Sequence, residues 1–184
     1  MKKTDTPNPS DNLGRTPINV ARSKNHIEVA KHLEEFYEEN KSWLSLFEAA
    51  SKGNVDKMKH FIDNNGLDID IESPLTGSTI LTILAEHGHF EALQNFVQNG
   101  ANVNATRVDG QTPLHLAALN GNIKICQYLL EHSVKIQCKD SWGNTPLNNA
   151  IAFGNFDILK LLVDQDYEAS IENIPGLEKV IPFL

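Results

Sequence analysis

Positive charge is scarce in this chain: 16 Lys and Arg stand against 24 Asp and Glu, a formal net charge of −8. No segment gathers Lys and Arg among aromatic residues, so a nucleic-acid backbone or an anionic membrane surface is repelled on average. Long apolar runs are missing too, and with them any stretch able to span a bilayer. The opening MKKTDTPNPSDN has two lysines but no apolar segment behind them, so no export signal is read there. Cysteine is limited to Cys126 and Cys138. Small secreted domains are usually disulfide-dense, so two reduced thiols in a cytoplasmic protein are expected. The triplets at Asn40 and Asn104 match a glycosylation pattern that carries little weight without a secretory signal. No Gly-rich phosphate loop, nucleophile elbow or paired-His zinc helix occurs.

What is present is a packable composition, 40% hydrophobic and 22% charged over 184 residues, enough for one domain or a short repeat array. Self-comparison finds the repeat. GQTPLHLAALNGNIKICQYLL, from Gly110 to Leu130, returns 33 residues later as GNTPLNNAIAFGNFDILKLLV, from Gly143 to Val163. One period earlier, GSTILTILAEHGHFEALQNFV runs from Gly77 to Val97, with Gly88, Gly121 and Gly154 in register.

Each unit reads as two helices. Thr79, Thr112 and Thr145 stand where an N-cap is needed, and Pro113 and Pro146 follow at the first helical position, where a missing N–H costs nothing. Leu114, Leu116 and Ala117 then form a short helix that Gly121 ends, and small alanines allow the next unit to approach closely. Apolar residues at spacings of three and four mark the second helix: Phe90, Leu93, Phe96 and Val97; Ile123, Cys126, Leu129 and Leu130; Phe156, Leu159, Leu162 and Val163. Gly100 is suited to close the second helix in a left-handed conformation, after which Ala101 to Ala105 lead into an extended turn. Ser133 replaces that glycine in the next unit, so its turn is less favourable.

This pattern resembles the ankyrin repeat, most closely over Thr112, Pro113, Leu114, His115, Leu116, Ala117 and Ala118. Asn148 replaces His in the following unit, and Ile80 and Thr82 replace Pro and His in the preceding one. Two degenerate units lie upstream. Leu46, Ala49, Ala50 and Gly53, then Val55, Met58, Phe61 and Ile62, match a repeat without its cap motif. Gly53 to Gly88 is 35 residues, about two more than a period. Before it, Thr16, Pro17, Ile18, Ala21, Ile27, Ala30 and Leu33 fall in register, with Asn25 where Gly is usual. Only 28 residues separate Asn25 from Gly53, too few for the extended turn, and the acidic stretch Glu34 to Glu39 is expected to lengthen the second helix.

The expected fold is therefore all-α: an ankyrin-repeat α-solenoid of about five helix-turn-helix repeats, the first two irregular. The expected divisions are a flexible N-terminus over 1–13, a degenerate repeat over 14–41, four stacked repeats over 42–170, and a C-terminal capping tail over 171–184. The stack is expected to break near Asn40 to Trp43. The N-terminal unit resembles the last repeat of an array, and is expected to dock differently from the rest or to pair with another copy, a homo-oligomer.

The resemblance implies a protein partner, held by the turn tips and the exposed side of the first helices, which together form a concave face. Carried onto this chain, the tips supply Thr106, Val108, Asp109, Gln111, Lys139, Ser141, Trp142 and Asn144. The first helices supply Glu86, His87, Leu119, Asn120, Ala152 and Phe153. Trp142 and Phe153 are expected to be its centre, although Trp142 would also suit packing against the neighbouring turn. No cofactor and no catalytic activity are expected. A second reading makes the chain a regulatory or oligomerising module of a larger enzyme or channel, since DSWGNTPLNNAIAFGN is loosely similar to ankyrin tails of some glutaminases, asparaginases and plant potassium channels. A third, an atypical hydrolase or metal enzyme using Glu86, His87 and His115, has little support, because His115 belongs to the repeat motif and closed zinc sites need four convergent ligands.

Overall fold

The threonines expected as caps do cap. Thr79, Thr112 and Thr145 are extended, and their hydroxyls accept from the backbone N–H of Thr82, His115 and Asn148. Where Pro113 and Pro146 open the helix, the third residue completes a reciprocal box: His115 Nδ1 accepts from Thr112 N at 3.2 Å, and Asn148 Oδ1 from Thr145 N at 2.8 Å. Replacing His by Asn148 therefore keeps the cap. Thr82 lacks that reach and donates its hydroxyl to the Thr79 carbonyl instead.

The computed structural model of the chain describes residues 17–39, 41–74 and 76–165. They form α1 (Pro17–Ser23), α2 (Ile27–Glu39), α3 (Lys41–Ser51), α4 (Val55–Asn65), α5 (Ile80–His87), α6 (Phe90–Gln98), α7 (Pro113–Leu119), α8 (Ile123–Leu130), α9 (Pro146–Ala152) and α10 (Phe156–Gln165). No strand occurs among the described residues. The first helices α3, α5, α7 and α9 pack in line, and the second helices α6, α8 and α10 form a row behind them. Ala85, Ala117 and Ala118 are wholly buried, which lets the first helices approach closely, and Leu84, Leu93, Phe96, Leu114, Ile125, Leu129, Ile158 and Leu159 form the continuous core. The tail over 171–184 and the segment over 1–13 lie outside the described residues.

A hydrogen-bond ladder joins the repeats. From Gly88 onward, the residue after the helix-ending glycine turns back to the previous repeat: His89 Nε2 donates to Ser51 O at 2.8 Å, and Asn122 Nδ2 to Ala85 O at 2.9 Å. These side chains lie over the preceding glycine. A methyl at Gly53 would meet the His89 ring at 2.7 Å, and one at Gly88 would meet Asn122 Oδ1 at 2.7 Å. The glycines are thus required for close approach as well as for their left-handed φ. Turn tips are linked too, by Val108 N to Thr76 O at 3.0 Å and Ser141 N to Asp109 O at 2.8 Å.

The N-terminal pair departs from this order. α2 extends to Glu39, as the acidic stretch implied, and α3 begins at Lys41 with no extended turn between them. Helix α1 packs on α2 and has no packing on α3 comparable with that of successive first helices, so the line of first helices begins at α3. The extra residues between Gly53 and Gly88 also leave a mark: α4 and α6 stand apart around a cleft of about 360 Å³ lined by Ile62, Ile69 and Phe96. Asn25 and Ser133 take φ values of 59° and 56° where glycine would sit without strain.

Candidate protein-interaction surface

Each turn is closed by its own backbone, Arg107 N donating to Gln111 O at 3.0 Å and Asp140 N to Asn144 O at 2.9 Å. Asp140, itself buried, shapes the second tip: its Oδ1 accepts from Trp142 N at 3.0 Å and from Asn144 N at 2.8 Å. That network turns the Trp142 indole outward, where it is 69% exposed, and Val108 on the adjacent tip is 75% exposed. Thr106, Lys139 and Ser141 are exposed beside them, while Asp109 and Asn144 are half-buried.

On the helices, Phe153 follows the last turn of α9 and is 60% exposed. His87 and Asn120 are exposed at the corresponding ends of α5 and α7, and Leu119 is half-buried. Gln111 does not join this face. Its side chain is buried, because the turn folds it inward while its N–H donates to Asp109 Oδ1 at 3.1 Å.

Two residues not singled out from sequence help to build the face. Arg107 crosses between repeats, its guanidinium 3.3 Å from Glu86 Oε2 and 3.9 Å from Asp109 Oδ2. Asp140 carries a legible signal, an Asp two residues before the turn residue whose N–H it accepts. Arg107 had none, since its partner Glu86 stands in the preceding repeat.

The residues of the hydrolase reading are engaged separately. Glu86 pairs with Arg107, and His87 stacks on His89 with ring centroids 6.1 Å apart. His115 is fully buried, its Nδ1 accepting from Thr112 and its Nε2 donating to Asn144 O at 3.0 Å. It ties one repeat to the next turn. Burial pushes its pKa below the ordinary value, opposed by the Asn144 carbonyl and the nearby Asp140 carboxylate. Among the described residues no group of three or more His, Cys, Asp or Glu is placed to hold a metal ion. Both cysteines are free thiols, and burial pushes Cys126 up to about 12.

No described helix is long and apolar enough to cross a membrane. A family model described as ankyrin repeats (3 copies) matches residues 46–140 and 81–173, together more than two-thirds of the chain. With the recurring Thr caps, the paired helices and the ladder between repeats, that match shows that this chain belongs to the ankyrin-repeat family, whose repeats generally mediate protein–protein interaction.

Proposed function

We propose that this protein is a non-catalytic adaptor that captures a partner protein on the concave face formed by its turn tips and first helices. Trp142 and Phe153 are its anchors, with Val108, Leu119, Lys139 and Asn144 around them. One observation carries the reading: Trp142 is largely exposed although its turn is held from beneath by the buried Asp140. Holding a large aromatic in a fixed, solvent-facing position lowers the ordering cost of binding. Trp is also enriched among residues whose truncation costs about 2 kcal/mol or more of binding. Glu86, His87, Thr106, Asp109, Asn120 and Ser141 extend the same face, and Gln111 supports it from inside.

The test is affinity capture by the full chain, with the bound protein identified by mass spectrometry, against the double variant Trp142→Ala, Phe153→Ala. The expected result is a loss of about 30-fold or more in partner affinity with unchanged melting and helicity. If stability falls while the folded fraction captures normally, these aromatics are scaffold.

A further inference from the structure

Three repeats in succession show which positions face the preceding neighbour. Ala92, Ile125 and Ile158 stand at the same place in α6, α8 and α10, and each is buried. In α4, which begins the stacked line, that place is taken by the exposed Lys57. The residue after the glycine follows the same rule. His89, Asn122 and Asn155 reach back to the repeat before, whereas Asn54 caps its own helix, accepting from Lys57 N at 2.9 Å. The α3–α4 pair is therefore built as a first repeat, polar where no neighbour precedes it.

The α1–α2 pair is built the other way. Val29 stands at the place of Ala92, Ile125 and Ile158, yet it is 54% exposed. Ile27 beside it is 58% exposed. His26 holds the reach-back position, is exposed, and makes no side-chain hydrogen bond among the described residues. This pair thus carries the apolar and polar groups of a repeat that follows another, with no preceding neighbour among the described residues.

The opposite end of the stack offers the complementary side. Ile151 and Asn148 on α9 are half-buried where Ala118 and His115 on α7 are wholly buried. A methyl at Gly121 would meet Asn155 Oδ1 at 3.1 Å, whereas nothing described lies within 4 Å of one at Gly154. We propose that the α1–α2 pair of one copy stacks on the α9–α10 end of a second copy as its next repeat, with Val29 packed against that end and His26 over Gly154. The contact is head-to-tail, so it generates chains or closed rings rather than a two-fold dimer. It borders the proposed partner face only where Ala152 and Gly154 flank Phe153 and leaves the Trp142 and Val108 tips open, so either reading stands if the other fails. It takes the end of the stack for which the tail over 171–184 is the expected cap.

Sedimentation of the full chain over a range of concentrations tests it, compared with Val29→Lys, which copies the residue that α4 carries at this place. The expected result is concentration-dependent association, weakened at least about 10-fold by the substitution, with unchanged melting because Val29 is exposed in the single chain. In a Cys138→Ala background, mixed His26→Cys and Ala152→Cys chains are expected to form a covalent heterodimer on mild oxidation. A monomer at every concentration up to about 1 mM overturns the proposal, as does association indifferent to Val29→Lys or the absence of the mixed cross-link.

Discussion

Asn155 belongs to one repeat and completes the helix of another: its amide donates to Ala118 O at 2.7 Å and to Leu119 O at 3.0 Å. The last carbonyls of a helix have no intrahelical partner, so α7 is capped from outside by the next repeat. Loss of these bonds in Asn155→Ala is expected to cost about 1–2 kcal/mol. Asn54→Ala is expected to cost about 1 kcal/mol for a different reason, the loss of an N-cap within α4. Chemical denaturation of the two variants checks both figures. Combined with Leu147→Ala in the same repeat as Asn155, the Asn155 effect is expected to be non-additive and the Asn54 effect additive.

His115 gives the stack an acid sensitivity. Its folded pKa lies below the ordinary value, which is about 6.5 in an unfolded chain. The unfolded state therefore takes up the proton first, and the stability that neutral His115 supplies is fully present above pH ~6.5 and lost as pH falls towards the folded pKa. Melting of the wild type is expected to drop between about pH 7.5 and 5.5 by more than that of His115→Asn. At the higher pH, His115→Asn is expected to cost about 1–2 kcal/mol: Asn148 shows that Asn preserves the box, but the link to Asn144 O is lost. Equal pH slopes for the two proteins would contradict this account.

Ser133 holds a left-handed φ of 56° that a side chain disfavours. Left-handed backbone costs a non-glycine residue roughly 1–2 kcal/mol, and glycine returns about 0.4–1 of that through the greater freedom of the unfolded chain. Ser133→Gly is accordingly expected to stabilise the protein by about 0.5–1 kcal/mol, a rise of roughly 2 °C in Tm. Thermal melting measures it directly, and a lower Tm would refute it.

The two thiols are expected to differ in reactivity. Cys126 is wholly buried and its thiolate is disfavoured, whereas Cys138 is half-buried and donates to the Lys135 carbonyl at 3.0 Å. Native protein is expected to show one fast-reacting thiol in a colorimetric assay, and denatured protein two. Replacing Cys138 with Ala should abolish the fast phase.

Much of the fold was readable because its signals are local. The Thr112 cap, Pro113 and the apolar residues from Leu114 to Ala118 interact within one helix, and their spacing shows in any window of the chain. The outward Trp142 and Phe153 were legible from register for the same reason. Gln111 was not, since the backbone that draws it inward is set by the closure of the whole turn. Arg107 escaped notice because its partner Glu86 lies 21 residues away, in another unit.

From the sequence alone, the period, the helix boundaries at the caps and the all-α repeat architecture are determined, since each depends on residues a few positions apart that recur every 33. Tertiary structure alone decides which side of a repeat is covered. Asn54 and Asn155 are the same residue at the same register, yet one caps its own helix and the other caps its neighbour's. Val29 and Ile125 likewise share a register, one exposed and the other buried. The difference lies in whether a preceding repeat stands within reach, and packing between repeats, rather than the identity of the residue, settles that.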